Sequence, residues 1–323
     1  MQTSLVAGGA GFIGSHLCDQ LLADGYRVVC VDNLLTGSKK NIAHLLDREE
    51  FVFVEADITQ EKTFVEQLVG KYDFIFHLAS PASPNQNSAM SYMAYPVETM
   101  LVNSQGTYLL LELAKKGQAK FLFASTSEVY GDPHEHPQKE TYWGNVNPNG
   151  IRSCYDESKR FGEAMTMTYV RNFDVNARMV RIFNTYGPRM DPEDGRAMVN
   201  FIVQGLKYEP FTVYGDGTQT RSFCYVSDLV EGIMRGMFTD AARGEVINLG
   251  NPDEYTMIQL VEEICRKLGR EKEIKHSPLP QDDPQRRQPD ISKAKAMLAW
   301  EPKVGLGEGL EKTIAYFKDH LPK

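Results

Sequence analysis

Short uninterrupted apolar runs alternate with longer stretches in which apolar residues recur every three or four positions. Residues 4–33 show the pattern first: an apolar run, a glycine-rich turn, a stretch at helical spacing and a second apolar run, the make-up of one βαβ unit. Strands are expected next at 51–57 and 72–80, with a helix over 60–69 between them. Long helices are expected over 97–116 and 153–171, both more apolar than one buried face demands. Between them Phe121, Leu122 and Phe123 form a run that breaks into Ser125, Thr126, Ser127 and Glu128, and a further strand follows at 175–183. Uninterrupted runs signal strands buried on both faces, and their alternation with helices signals an α/β, doubly wound parallel sheet.

After residue 183 the pattern loosens. Short strands such as 211–215 alternate with isolated helices, whereas 225–238 and 245–250 return to the earlier character. The chain is therefore expected to divide into 1–183 plus about 225–250, a Rossmann-type domain that opens with the glycine-rich turn, and about 184–224 plus 251–323, a smaller mixed α/β domain. Proline-rich stretches at 81–96, 131–152 and 276–290 are expected as loops.

Composition narrows the function. A net charge of −8 argues against a general nucleic-acid binder but not against a local anion pocket. Five cysteines at scattered positions, with no ligand spacing, fit a reducing compartment, and His134 and His136 read as solvated loop residues, so no metal is expected. No leader-like or membrane-length apolar segment is present, and the expected location is cytoplasmic.

The candidate chemistry begins at Gly9-x-Gly11-x-x-Gly14, preceded by Gly8. Glycines between a strand and a helix let the backbone approach a pyrophosphate at the helix N-terminus. Asp32 ends the next strand, where a carboxylate accepts both ribose hydroxyls of NAD and repels the extra phosphate of NADP; a mere turn cap is the alternative, and Lys39 and Lys40 would soften the discrimination. The cofactor contacts expected are Gly8, Gly11, Phe12, Ile13, Gly14, Asp32, Asn33, Asp57, Ile58, Leu78 and Ala79, together with Tyr155 and Lys159. For Asp57, contact with the adenine and an ordinary strand-end role both stay open.

Tyr155 and Lys159 stand at i and i+4 on one helix face. Moving a phenol from its usual pKa near 10 to about 7 takes roughly 4 kcal/mol, which an adjacent ammonium and the positive charge of bound NAD⁺ can supply. A hydroxyl cluster after a strand is ordinarily a turn former. Beside a dinucleotide fingerprint and a YxxxK pair it becomes a candidate substrate lip, so the catalytic set is Tyr155, Lys159, Thr126, Ser127 and Glu128.

GGAGFIG, Asp32, the STSE cluster and YDESK together resemble the extended short-chain dehydrogenase/reductase family. HLASPASP, ASTSEVYGDP, RIFNTYGPRM, TRSFCYVSDL, NLGNP and QDDPQRRQPD are similar to its members that decarboxylate UDP-glucuronate; Ala7 departs from the threonine common there. The resemblance implies NAD as cofactor, oxidation at the sugar C4, loss of carbon dioxide from the 4-keto acid and re-reduction to UDP-xylose. It also implies a UDP-sugar held by Asn184, Arg189, Asn200, Tyr214, Arg221 and Arg287, and a homodimer through helices 97–117 and 153–171. Relatives that dehydrate hexoses carry Thr-Asp-Glu where this chain has Thr126-Ser127-Glu128, so Ser127 favours a uronate. Alternatives are a 4-epimerase, a 4,6-dehydratase, a decarboxylase releasing the 4-keto pentose, and an NAD-sensing binding protein without turnover.

Overall fold

Strands buried on both faces must divide their side chains between two layers, and that division organises this chain. The computed structural model describes residues 1–321, apart from Asn87 and Asp283, which fall in two stretches expected as loops. In chain order the first part forms β1 (Thr3–Ala7), α1 (Phe12–Ala23), β2 (Arg27–Asp32), β3 (Phe51–Glu55), β4 (Phe74–His77), α2 (Pro96–Leu101), α3 (Thr107–Gly117), β5 (Lys120–Thr126), α4 (Ser153–Phe173) and β6 (Ala177–Ile182). There follow β7 (Thr185–Tyr186), α5 (Ala197–Leu206), β8 (Phe211–Tyr214), β9 (Thr220–Ser222), β10 (Cys224–Tyr225), α6 (Val226–Phe238) and β11 (Val246–Leu249). The chain ends in β12 (Glu254–Thr256), α7 (Met257–Leu268), β13 (Ile274–Ser277), β14 (Arg286–Arg287), α8 (Ser292–Leu298) and α9 (Leu306–His320).

Seven strands make one parallel sheet in the order β11-β6-β5-β4-β1-β2-β3. Alternate residues sort to opposite faces. Val6, Cys30, Phe76, Leu122 and Val180 pack with Leu17 and Leu21 of α1 and Ile233 of α6, while Leu5, Val31, Ile75, Phe121, Phe123 and Met179 pack with Leu110 and Leu111 of α3 and Tyr169 of α4. The first of these cores runs on into α5, α7 and α9 through Phe201, Leu260, Ile264 and Leu310. Strand order reverses between β1 and β4, and the crevice at that reversal, at the carboxyl ends of the strands, is where open α/β sheets bind ligands.

Three elements differ from the expectation. The helix expected at 60–69 shrinks to a short stretch with a π-turn at Thr63–Gln67. The long helix over 97–116 is interrupted by a π-helical turn at Val102–Gly106, where buried Asn103 donates to Ser80 Oγ at 3.0 Å and Ser158 Oγ at 3.1 Å. The stretch 276–290, expected as loop, contains the end of β13 and all of β14; β14 pairs with β9, which sets Arg287 beside Arg221. Proline and charge hid these strands because each is stabilised by a partner far along the chain. No helix among the described residues is long and apolar enough to cross a membrane.

Candidate active site

The turn between β1 and α1 is built for close approach. Gly8 adopts φ +81°, and a Cβ there would meet Ala79 N at 2.6 Å; a Cβ at Gly14 would collide with the Gly8 carbonyl, so turn and helix are packed backbone to backbone. The cleft above has a volume of about 940 Å³ and is walled on this side by Gly8, Gly11, Phe12, Ile13, Gly14 and Leu78. Ser125, Thr126, Ser127, Glu128, Tyr155 and Lys159 line the same cleft. A second cavity of about 300 Å³ adjoins it and is lined by Asn184, Asn200, Tyr214, Arg221 and Arg287; Glu128, Arg152, Asn184 and Arg196 border both.

Five of the expected cofactor residues are engaged within the fold itself. Asp32 accepts from the backbone N–H groups of Ala10 at 3.0 Å and Leu34 at 2.8 Å, so its carboxylate anchors the glycine turn and the loop after β2. Asn33 caps Leu35, and Asp57 Oδ1 accepts from the Thr59 N–H and hydroxyl, both at 2.8 Å. Ile58 packs against Gly106, and Ala79 presents backbone to Gly8. None of these five lines the cleft, whereas Thr36, Ser38, Lys40 and Asn41 do. Lys39 instead pairs with Glu55 at 2.6 Å. Arg189 lies apart from the other substrate candidates, pairing with Asp19 on α1 at 2.7 Å and lining only the larger cleft of the two. His136 is within 3.2 Å of Glu254 rather than simply solvated, and among the described residues no cluster of His, Cys, Asp and Glu could hold a metal ion.

At the sheet end, Thr126 finishes β5 and its hydroxyl accepts from the Glu128 N–H at 3.2 Å, capping the single 3₁₀ turn Ser127–Tyr130. Tyr155 stacks on Tyr92 with ring centroids 4.7 Å apart. Burial raises the Tyr155 phenol well above the ordinary tyrosine range, a hydrogen bond with Thr126 opposes the rise, and the charge of Glu128 adds to it. Lys159, only 3 % exposed, donates to the Ala124 carbonyl at 2.7 Å. Burial lowers its ammonium to a pKa of about 7 against the pull of Glu163. Glu163 in turn accepts from Ser125 at 2.5 Å and from both sides of the Arg181 fork, at 2.9 and 2.8 Å.

Glu128 sits where the two cavities meet. Arg152 Nη2 reaches its Oε2 and Arg287 Nη1 its Oε1, and the same Arg287 nitrogen lies 3.5 Å from Ser127 Oγ. Burial raises the Glu128 carboxyl, but Arg152, Arg287 and Arg221 outweigh it and hold it at about 2, so the group is ionised throughout the neutral range. Burial and the neighbouring Glu128 charge raise the Asp156 carboxyl well above the usual carboxylate range.

The family model described as GDP-mannose 4,6 dehydratase matches residues 5–313. The chain belongs to that family, within the extended short-chain dehydrogenase/reductases. UDP-glucuronic acid decarboxylase 4 of Arabidopsis thaliana is 50% identical over 98% of this chain and 69% of its own length, and the plant's UDP-glucuronic acid decarboxylase 6 is 52% identical over 95% and 86%. Among solved structures, UDP-glucuronic acid 4-epimerase from Bacillus cereus in complex with UDP-glucuronic acid and NAD superposes with a TM-score of 0.86 at 31% identity, covering 98% of this chain and 99% of that one.

For a member of the GDP-mannose 4,6-dehydratase family, the residues missed by sequence reasoning are as informative as those it named. Arg152, Glu163, Asp194 and Arg196 carry no motif of their own. Arg196 forms a two-point pair with Asp194 at 2.6 and 2.7 Å and borders both cavities. Arg152 stands three residues before Tyr155 in sequence, and that nearness to a catalytic candidate was the one available signal.

Proposed function

We propose that this chain decarboxylates UDP-glucuronate to UDP-xylose with a retained NAD. The observation that carries the reading is Ser127. It is 2 % exposed, uncharged, and within reach of Arg287 beside Tyr155, Thr126 and Glu128. A carboxylate entering there meets the Ser127 hydroxyl and the guanidinium that Glu128 holds, without the additional anion an aspartate at 127 would bring. The relatives at half identity bear the decarboxylase name, which agrees with it.

The glycine turn fits a dinucleotide: Gly8 and Gly14 leave no room for a Cβ, and Gly11 precedes the first turn of α1, whose N–H groups suit a pyrophosphate. When bound, NAD supplies a reversible hydride acceptor for the sugar C4. Tyr155 takes the proton of the 4-hydroxyl while Thr126 holds that hydroxyl in line, and Lys159, once protonated, favours the phenolate. With a carbonyl at C4, the C5–C6 bond breaks, carbon dioxide departs, and its bonding pair moves to the C4 oxygen as an enolate that the Tyr155 hydroxyl stabilises. Glu128, ionised, does not deliver its own proton; it orients the water that protonates C5, and the hydroxide left behind takes up a proton from solvent. Asn184, Asn200, Tyr214 and Arg221 hold the UDP moiety in the smaller cavity, Arg287 faces the sugar carboxylate from that cavity, and Arg189 faces the cofactor side.

The active form is a homodimer: Val97, Met100, Leu101 and Tyr108 from the α2–α3 segment and Phe161 and Phe173 from α4 are large apolar side chains left at the surface. The cysteines are free thiols, including Cys18 and Cys30, which both crowd Gly9, and this suits the cytoplasm. A second reading, 4-epimerisation of the same sugar, is favoured by the likeness to the Bacillus cereus enzyme. Incubation with UDP-glucuronate, followed by NMR, decides between them. Carbon dioxide with UDP-xylose and no net NADH is expected; a C4-inverted uronate without carbon dioxide refutes the proposal.

A further inference from the structure

Glu128 is gripped by two guanidiniums from different parts of the fold. Arg152 comes from the turn that opens α4, beside Tyr155, and Arg287 comes from β14. The three side chains are 8, 2 and 17 % exposed for Arg152, Arg287 and Glu128, so neither pair is a solvated surface contact. Neutralising one carboxylate takes one cation. The second needs a reason.

Arg287 supplies one. It lines the smaller cavity and lies alongside Arg221, with its second nitrogen bonded to the Gly131 carbonyl at 3.0 Å. An anionic substrate entering that cavity competes with Glu128 for Arg287. Were Arg287 the sole partner, its departure would strand a buried carboxylate without a counter-ion, which is strongly unfavourable. Arg152 binds the other oxygen and belongs to the part of the fold that holds Tyr155.

We infer that Arg152 is the standing counter-ion of Glu128, keeping the carboxylate in place while Arg287 passes from Glu128 to the anion of the substrate. This rests on the smaller cavity being the UDP-sugar site. Arg152 is thus a positioning residue for the water-orienting carboxylate rather than a catalytic one. The other groups facing Glu128 are Arg221 from β9, Asp156 and Tyr155 from α4, and Tyr92 from the loop before α2. Burial and the charge of Glu128 both raise the Asp156 carboxyl, so it is the weaker competitor for Arg152 while Glu128 is ionised.

The test follows the Glu128 carboxyl by ¹³C NMR in the NAD-bound, catalytically silent Tyr155→Phe protein, assigned with Glu128→Gln. It should titrate below about pH 4 with or without saturating UDP-glucuronate. Adding Arg152→Met should leave it near its former value without substrate and raise it by about two pH units, a hundredfold change in proton affinity, when UDP-glucuronate draws Arg287 away. Arg152→Lys, which keeps the charge and resembles the native side chain more closely, should hold the low value. A titration in Arg152→Met that UDP-glucuronate leaves unmoved overturns the inference. In turnover, Arg152→Met should cost about 100-fold in kcat in the native background and less than about 3-fold on Glu128→Gln, because the two act as a unit. Losses that simply multiply also overturn it. If the native protein releases no carbon dioxide, the assigned reaction fails, while the substrate-dependent titration still judges Arg152.

Discussion

Lys159 is the residue whose function most conflicts with its surroundings, and the conflict can be measured. Its ammonium is buried and donates to one carbonyl, and burial takes its pKa from 10.5 to about 7. In the unfolded chain the lysine keeps its proton to beyond pH 9, whereas in the fold it sheds the proton near neutrality. Between those values the unfolded state binds more protons, so stability rises with pH. From pH 6 to pH 9 the folded lysine goes from mostly charged to neutral, which at 1.36 kcal/mol per pH unit above pH 7 amounts to about 2.7 kcal/mol. Lys159→Met removes this increment and leaves the other titrating groups largely as they were. Urea unfolding of the cofactor-free native protein and of Lys159→Met, each at pH 6 and pH 9, isolates it as a double difference. The variant should be relatively more stable at pH 6, with an advantage that shrinks by about 2.7 kcal/mol at pH 9, and it should be inactive at both. Equal pH dependence in the two proteins would show that Lys159 is not buried as an ion and would remove the basis for its role beside Tyr155.

Gly14→Ala should abolish NAD retention, measured as nucleotide released on denaturation, because the added methyl meets the Gly8 carbonyl rather than a movable side chain. Replacing both Met100 and Phe161 by glutamate should yield a monomer in light scattering; a dimer that persists at micromolar concentration would place the subunit contact elsewhere.

The parts legible in the sequence are those whose signal is local. The βαβ unit, the hydroxyl cluster and the Tyr155–Lys159 pair each lie within one or two elements, where periodicity and spacing act directly. Asp32 shows the limit of such reading. Its place at the end of β2 was legible, but the turn-cap alternative describes its actual contacts, since the Ala10 and Leu34 N–H groups need an acceptor in the buried turn. Both roles are compatible, because a carboxylate oxygen accepts more than one hydrogen bond. Glu128 with Arg287 and Ser125 with Glu163 join positions 159 and 38 residues apart. No window of sequence contains those pairs. Arg189 likewise pairs with Asp19 of α1, a partner far back in the chain that no local window of sequence contains.

The assigned reaction moves negative charge from the C6 carboxylate to the C4 oxygen, and the site has donors at both ends: Arg287 with Ser127 at one, Tyr155 with Lys159 at the other. Ser127→Asp tests whether this balance selects the substrate. Two unit charges at about 4 Å repel by about 4 kcal/mol at an effective dielectric of 20. An alternative for the new carboxyl is to stay protonated, and moving it from its usual pKa of about 3.9 to above 7 costs about 4 kcal/mol as well. Arg287 offsets part of either term, so weakening of UDP-glucuronate binding by up to about a thousandfold is the upper limit. UDP-glucose, neutral at C6, should lose little. Calorimetry of the NAD-bound Tyr155→Phe protein with and without Ser127→Asp, titrated with each sugar, separates the cases. Equal losses for both sugars would mean that Ser127 supports the turn at the end of β5 and does not choose the uronate.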